Sequence, residues 1–325
     1  MVSNSVSGSL EAFKKAVKDS ATTKAIPTGF NILDETLDGG FYEGFYVIGA
    51  ITGIGKTTFC QQIADQAALR GVDVIEFSLE MSKYTLISKS LSRLTWIEDK
   101  SKDNKGFHYA RTSRQILTGA IISDREKRLY ENALQRYNKD YSNNLYIYDG
   151  NIGIELIREK VSEHVSLTGK RPLVIVDYLQ ILTPHEQNGS DKQFIDQSVL
   201  ELKRISMEHG IPVIAVSSFN RNNYLTPVNI TSFKESGAIE YSSDVLLGLQ
   251  FKGMDSLSQD GPKSNSNSNT KKVEDWQRAD CRELELKILK NRNGASGDSI
   301  FYSYYPKFNY FSETSKSVAT GRAKT

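Results

Sequence analysis

The sequence is poor in the residues that advertise several common chemistries. Its 325 residues include two cysteines, Cys60 and Cys281, and neither lies in a CxxC pair. A disulfide-dense scaffold and a thiolate metal cage are thereby excluded, and reduced thiols in an intracellular protein are expected. The four histidines, His108, His164, His185 and His209, are scattered without metal-ligand spacing, so no zinc site is expected. No apolar run approaches the length of a membrane span. The first residues are polar and hold no signal-peptide core, which gives the expectation of a cytoplasmic protein without membrane contact. Charge of either sign is nearly cancelled, at a formal net +2. A polyanionic partner would have to be met by a local patch, or by one repeated around an oligomer. No internal repeat is visible.

What is present is enough apolar sequence for a sizeable core, 38%, arranged around one stretch, F-Y-V-I-G-A-I-T-G-I-G-K-T-T over residues 45–58. Residues 45–48 read as a buried strand, Gly53 to Gly55 as a flexible turn, and residues 57–68 as a helix. Strand, glycine loop, Lys-Thr, helix is the context of a phosphate-binding loop. The glycines let backbone N–H groups approach phosphates, and the helix N-terminus adds partial positive charge. Gly53, Ile54, Gly55, Lys56, Thr57 and Thr58 are the candidate nucleotide-binding residues. Lys56 can reach the terminal phosphates, and the Thr57 hydroxyl can bind Mg²⁺. Ala50 stands where such loops usually carry a first glycine, and it is small enough for the turn.

Around this stretch, apolar runs at 72–77, 144–148, 173–176, 212–216 and 245–249 read as strands. They alternate with helical patterns at 81–94, 114–118, 124–137, 153–166 and 198–208. Alternation of this kind predicts an α/β fold, a mostly parallel sheet covered by helices on both faces. Residues 284–289 and 299–305 should add a C-terminal antiparallel hairpin. One core implies one domain over residues 26–312. Residues 1–25 read as a tail and a linker-like helix with Leu10, Phe13 and Val17 on one face. That helix fits either packing on its own domain or docking on a neighbouring subunit. Residues 98–106 read as a charged loop, residues 253–279 as a disordered low-complexity insertion, and residues 313–325 as a disordered tail.

Four further motifs carry chemistry. Glu80, in F-S-L-E-M-S, follows the second strand, where open α/β sheets place ligands. It could activate the water that attacks a γ-phosphate, or serve only as a helix-start acid near a dipole. Asp177 ends the apolar strand of V-I-V-D-Y-L-Q, as a carboxylate that holds Mg²⁺ through water would. Ser218, at the end of the next strand, could sense the γ-phosphate and pass its state to the following loop. That loop and the S-G-A-I-E stretch after it could hold a nucleic-acid backbone. Lys290 and Arg292, in K-N-R-N-G, could flank a solvated turn, act within their own subunit, or reach a neighbour's site.

In this order the motifs resemble the ATPase domain of the hexameric DnaB-type replicative DNA helicases, which have a RecA-like P-loop fold. The resemblance runs over residues 26–311. It implies ATP and Mg²⁺ as cofactors, held by the phosphate loop, Asp177 and Ser218, with Thr57 and Asp177 on the metal side. It implies Lys56, Glu80, Lys290 and Arg292 as catalytic residues, Glu80 being the base and the last two reaching an adjacent subunit's nucleotide. Arg221, Glu235 and Gly237 fall at positions near DNA-contacting loops. Single-stranded DNA, a hexameric ring of identical subunits, 5′ to 3′ movement, and a primase or helicase loader are the implied partners and behaviour. The sequence departs from the family pattern at Ser218, where glutamine is usual, and at Ile51-Thr52, where Arg-Pro is common. About two dozen residues precede the motifs, where full-length members carry a large helical domain; a short chain of this kind fits a mobile element. The alternative function is a nucleotide-switched DNA- or helicase-binding ATPase, such as a loader, mediator or regulator, without strand separation.

Overall fold

In the computed structural model, strand β1 (Gly44–Ala50) is buried along its whole length and runs parallel to a strand on each side. The structure describes residues 6–20, 25–102, 109–121, 123–182, 190–219, 224–233, 237–259 and 266–317. Beyond β1 the sheet contains β2 (Val74–Ser78), β3 (Leu145–Asp149), β4 (Leu173–Asp177), β5 (Pro212–Ser218), β6 (Val245–Phe251), β7 (Arg282–Asn291), β8 (Ser299–Tyr305) and β9 (Tyr310–Ser317). Their spatial order is β3-β2-β4-β5-β1-β6-β7-β8-β9. The first six are parallel and the last three antiparallel. β1, β2, β4 and β6 are buried at every position. Strands covered on both faces need continuous apolar sequence rather than alternation, and the apolar runs show it.

The helices are α1 (Val6–Ser20), α2 (Asn31–Thr36), α3 (Lys56–Ala68), α4 (Lys83–Lys102), α5 (Ser113–Leu117), α6 (Asp124–Asp140), α7 (Ile154–Thr168), α8 (Asp191–His209), α9 (Gly237–Ser242), α10 (Met254–Gln259) and α11 (Ser266–Arg278). Several starts are written locally. Thr112, Ser123 and Ser190 each cap a helix and form a reciprocal capping box with Gln115, Glu126 and Gln193, satisfying two otherwise orphaned donors. Most of the buried apolar residues form one contiguous core. A satellite of Leu91, Leu94, Ala133, Tyr137 and Tyr141 lies between α4 and α6.

Three expectations need correction. First, residues 98–106 do not start a loop at 98. α4 runs on to Lys102 because Trp96 and Asp99 face inward, and Asp99 Oδ2 accepts Tyr109 N and Ala110 N, both at 3.1 Å. Residues 103–106 lie outside the described residues. Second, residues 253–279 are not a disordered insertion where they are described. They hold α10 and α11, whose Met254, Leu257 and Val273 are buried and whose Trp276 lies 5.8 Å from Phe251. The polar composition hid a sparse apolar face. Third, the hairpin has a third strand, so the chain past residue 312 continues in β9 to Ser317. Glu313 there accepts Ile32 N at 3.0 Å and Leu33 N at 2.9 Å, tying β9 to the start of α2. The expected linker-like helix is α1, whose apolar residues Val6, Leu10, Phe13 and Val17 are 78%, 48%, 63% and 47% exposed.

Two glycines let the segment after β5 lie close on the sheet. Gly49 and Gly248 are register partners on β1 and β6. A Cβ on Gly49 would overlap the rings of Phe233 and Phe219, and one on Gly248 would come within 2.7 Å of Val228. Gly49→Ala should therefore destabilise the domain by overpacking, by about 1–3 kcal/mol, read as a lowered urea midpoint with an unchanged m-value.

Candidate nucleotide site

The phosphate loop leaves the buried end of β1 and enters α3 through two left-handed glycines, Gly53 at φ 79° and Gly55 at φ 113°. Gly55 also has no room for a side chain, because a Cβ would sit 2.8 Å from the Tyr304 ring. Lys56 is folded back into the loop. Its Nζ donates to Ala50 O at 2.9 Å and Ile51 O at 3.0 Å. Burial pushes the Lys56 pKa down to about 8, against the pull of Asp177 and Glu80, whose negative charges favour the ammonium.

Asp177 ends β4 beside Ser78 of β2 and is 2% exposed. Burial raises its carboxyl to about 6, opposed by the Thr57 hydroxyl, which donates to it, and by Lys56. Its Oδ2 is buried and has no hydrogen-bond partner among the described residues. A carboxylate oxygen left in that state asks for a cation or its hydration water, and with the Thr57 hydroxyl it forms an all-oxygen pair suited to Mg²⁺. The residues present therefore fit that ion. Glu80 is exposed just beyond β2. Ser78 fixes the turn that carries it, donating to Met81 O at 2.7 Å and accepting Met81 N at 3.3 Å. Glu80's charge acts on Lys56, Asp177 and Lys89 alike, so the four groups share one region at the carboxyl ends of the parallel strands.

The sequence reading missed several residues that complete this region. Lys89 of α4 reaches Thr58 Oγ1 at 3.1 Å and Asn309 Oδ1 at 3.2 Å. Burial lowers its pKa, assisted by Arg93 and opposed by Asp177 and Glu80. The Tyr304 hydroxyl is hydrogen-bonded to that of Thr58. Arg282 lies over the Tyr304 ring at 5.9 Å and donates to Gly53 O at 2.9 Å. Gln180 clamps the end of β5: its amide donates to Ser217 Oγ at 3.0 Å and Ser218 O at 3.2 Å, and it accepts Ser218 N at 3.3 Å. Ser218 is thus held against the turn that follows Asp177. The one sequence signal for any of these was Gln180, which lies inside a quoted motif.

Lys290 and Arg292 are not brought to this region. They lie where β6 begins, Lys290 opposite Leu246. Lys290 Nζ donates to Glu240 O at 2.6 Å and Ser243 O at 2.7 Å. Arg292 donates to Asp244 Oδ1 at 3.1 Å and Tyr241 O at 2.7 Å. Asp244 in turn accepts Phe45 N at 2.7 Å, at the far end of β1 from the phosphate loop. Seven residues of strand separate the ends of β1, roughly 20 Å of rise. The contacts of both side chains lie at residues 240–244, on the side of the sheet end away from the phosphate loop. Gly237 opens α9 and is exposed; Arg221 and Glu235 lie outside the described residues. Among the described residues no cluster of three or more His, Cys, Asp or Glu could hold a metal, and no helix is long and apolar enough to cross a membrane.

A sheet in this order, with a phosphate loop between β1 and α3 and an acid closing β4, defines a RecA-like P-loop ATPase domain. The family model described as the DnaB-like helicase C terminal domain matches residues 25–313, and the chain belongs to that family. It is 27% identical over 313 residues to the replicative DNA helicase DnaB of Helicobacter pylori, covering 90% of this chain and 59% of that protein. It is 26% identical over 320 residues to the Mycoplasma genitalium replicative DNA helicase DnaB, covering 94% and 58%. The chain thus spans about three fifths of the length of these curated relatives. Among solved structures, the ATPase domain of G40P superposes with a TM-score of 0.74 at 22% identity, covering 96% of this chain and 99% of that one. A DnaB-like replicative helicase, solved in a study of its interactions with primase, superposes at 0.72 and 21% identity, covering 96% and 68%.

One buried acid serves none of these roles. Glu76, in the middle of β2, is 1% exposed. One end of the Gln61 amide lies 3.2 and 3.0 Å from its two carboxylate oxygens, while the other end lies 3.3 Å from Asp65 Oδ1. Asp65 is paired with Arg93 inside the protein. A protonated Glu76 satisfies both ends at once, donating to the amide oxygen while the amide N–H₂ serves Asp65. Burial raises its pKa to about 8, with Asp177 and Asp65 adding to the rise and Arg93 opposing it. The fold therefore keeps a proton that the unfolded chain releases near the ordinary glutamate value. Stability from this group should fall as pH rises from about 4.5 towards 8 and level off above. Urea midpoints measured across that range should show it, and Glu76→Gln, which mimics the protonated acid, should flatten that part of the profile.

Proposed function

We propose that this chain is the ATP-hydrolysing motor of a replicative DNA helicase, working as a ring, hexameric as in its family, on single-stranded DNA. One observation carries the reading: half of a nucleotide site is assembled at one end of the sheet, and the two cations that would finish it lie at the other. A head-to-tail contact would bring one subunit's Lys290 and Arg292 to the next subunit's phosphate loop, and heterologous contacts of this kind form a ring when their rotation closes. In that arrangement Lys56 exchanges the Ala50 and Ile51 carbonyls for phosphate oxygens. Thr57 and Asp177 hold Mg²⁺, which when bound neutralises charge on the β- and γ-phosphates. Glu80 takes a proton from the attacking water, and Lys89 adds positive charge beside Thr58. Arg221, Glu235 and Gly237 belong to the DNA-facing loops, movement is 5′ to 3′, and a primase or loader is the expected protein partner.

Steady-state ATP hydrolysis with and without single-stranded DNA, over a range of protein concentration, tests the motor. Turnover should rise with both, and turnover indifferent to DNA would assign the chain to a nucleotide-switched binding module instead. Glu80→Gln should keep nucleotide binding and lose turnover by about 100-fold or more, the scale of a missing general base; hydrolysis at the parental rate would remove Glu80 from the mechanism. Arg292→Ala should bind ATP and fail to hydrolyse it. Mixing it with Glu80→Gln protein should restore activity at composite sites that hold one intact half from each, whereas no recovery would rule out action between subunits.

A further inference from the structure

Asp244, the residue before β6, stands between two cations. Its Oδ2 accepts Phe45 N at 2.7 Å and Lys203 Nζ at 2.5 Å, and its Oδ1 accepts Arg292 at 3.1 Å. The carboxylate is fixed in place. Asp244 N donates to Phe45 O at 2.8 Å, so main chain and side chain together clasp the start of β1. Gly44 leaves it room, since a Cβ there would lie 3.1 Å from the same oxygen. Lys203 is carried by the stretch of α8 whose Val199, Leu202 and Ile205 lie in the main core.

Arg292 is the looser member. Its backbone is held, because Arg292 N donates to Asp244 O at 2.9 Å. Its side chain is 48% exposed, against 20% for Lys203 and 15% for Asp244. Of two contacts to one carboxylate, the longer and more exposed is the weaker. Lys203 neutralises part of the charge that holds the guanidinium, and it leaves Asp244 with a partner when the guanidinium departs. A half-buried carboxylate without that partner would pull the arginine back. Lys290 lies in the same field: burial lowers its pKa, Arg292 and Lys203 add to the fall, and Asp244 and Glu240 oppose it. Any change in how Asp244 is shared therefore reaches both residues of the K-N-R motif.

We propose that Lys203 is a positioning residue: by occupying one oxygen of Asp244 it loosens that carboxylate's hold on Arg292 and frees the guanidinium for an adjacent subunit's nucleotide. The proposal rests on the reading of Arg292 as acting between subunits. Lys203→Met keeps the length of the side chain and removes its charge, so Arg292 stays at rest on Asp244. The kcat for ATP falls about threefold with KM unchanged, within the scale of one partly exposed ion pair. Lys203→Arg keeps the parental rate. Adding Asp244→Asn to Lys203→Met restores turnover, because no carboxylate is left to hold the arginine, whereas two merely structural losses would add. Parental kcat in Lys203→Met overturns the proposal, and so does a double variant slower than Lys203→Met. Phenylglyoxal labelling of Arg292 in nucleotide-free protein, followed by mass spectrometry, supplies a readout that needs no turnover. Labelling slows about threefold in Lys203→Met and exceeds the parental rate in the double variant; equal rates in all three proteins also overturn the proposal. Parental turnover in Arg292→Ala, with the labelling pattern as expected, sinks the reading of action between subunits and leaves the contest for Asp244 standing.

Discussion

A dehydrated cation, with no carboxylate in ion-pair contact among the described residues, organises this protein. Lys56 is buried, and it is held by two backbone carbonyls rather than by an ion pair. A charge in that position costs free energy unless something anionic meets it. The fold lowers the cost without cancelling it, by placing Asp177, and at longer range Glu80, where their fields reach the ammonium. The strand order makes this possible. β1, β5 and β4 are consecutive in the sheet, with β2 next, so the loop after β1, the acid ending β4 and the turn after β2 open at one edge. The site is thereby poised for a polyanion, and the buried Asp177 Oδ2 for the cation that would accompany it.

The parts of this arrangement that were legible in the sequence are those in which neighbours in the chain are neighbours in space. The phosphate loop needs a strand before it, a helix after it and glycines between, all within fourteen residues. Asp177 could be placed because an apolar run ends on it. Lys89, Asn309 and Tyr304 could not be placed in the same way. They meet at Thr58 and around α4 from positions as much as 220 residues apart, and a lone lysine on a helix carries no pattern that sets it apart from a surface lysine. β9 was missed for a related reason. Its outer half is exposed and polar, and beyond its ladder with β8 it is held by contacts from distant sequence, among them a pair of hydrogen bonds between Phe311 and Gln62 at 2.8 and 2.9 Å.

α10 and α11 teach a different lesson. Serine and asparagine repeats lower helix propensity, and composition alone argues for a chain without order. Four apolar side chains, Met254, Leu257, Val273 and Trp276, still join the main core, and packing of that kind overrides local preference. α4 shows the same with charge, since Asp99 on its inner face caps the backbone of Tyr109 and Ala110. Conversely, the pairing of Arg292 with Asp244 uses a charge that the family resemblance assigned to an adjacent subunit's nucleotide. Its resting contact is within its own chain.

The bolting of β9 has a mechanical consequence. The strand that carries Lys290 and ends just before Arg292 is sewn between β6 and β8, and the antiparallel part of the sheet is pinned at its outer edge to α2 through Glu313 and to α3 through Gln62. α3 is the helix that begins at Lys56. The two cations are therefore linked to their own phosphate loop through one continuous sheet. When either end of the sheet tilts, the other tilts with it as the opposite arm of one stiff lever. Compliance in any assembly of these subunits must then lie in the seams between copies, not within the sheet.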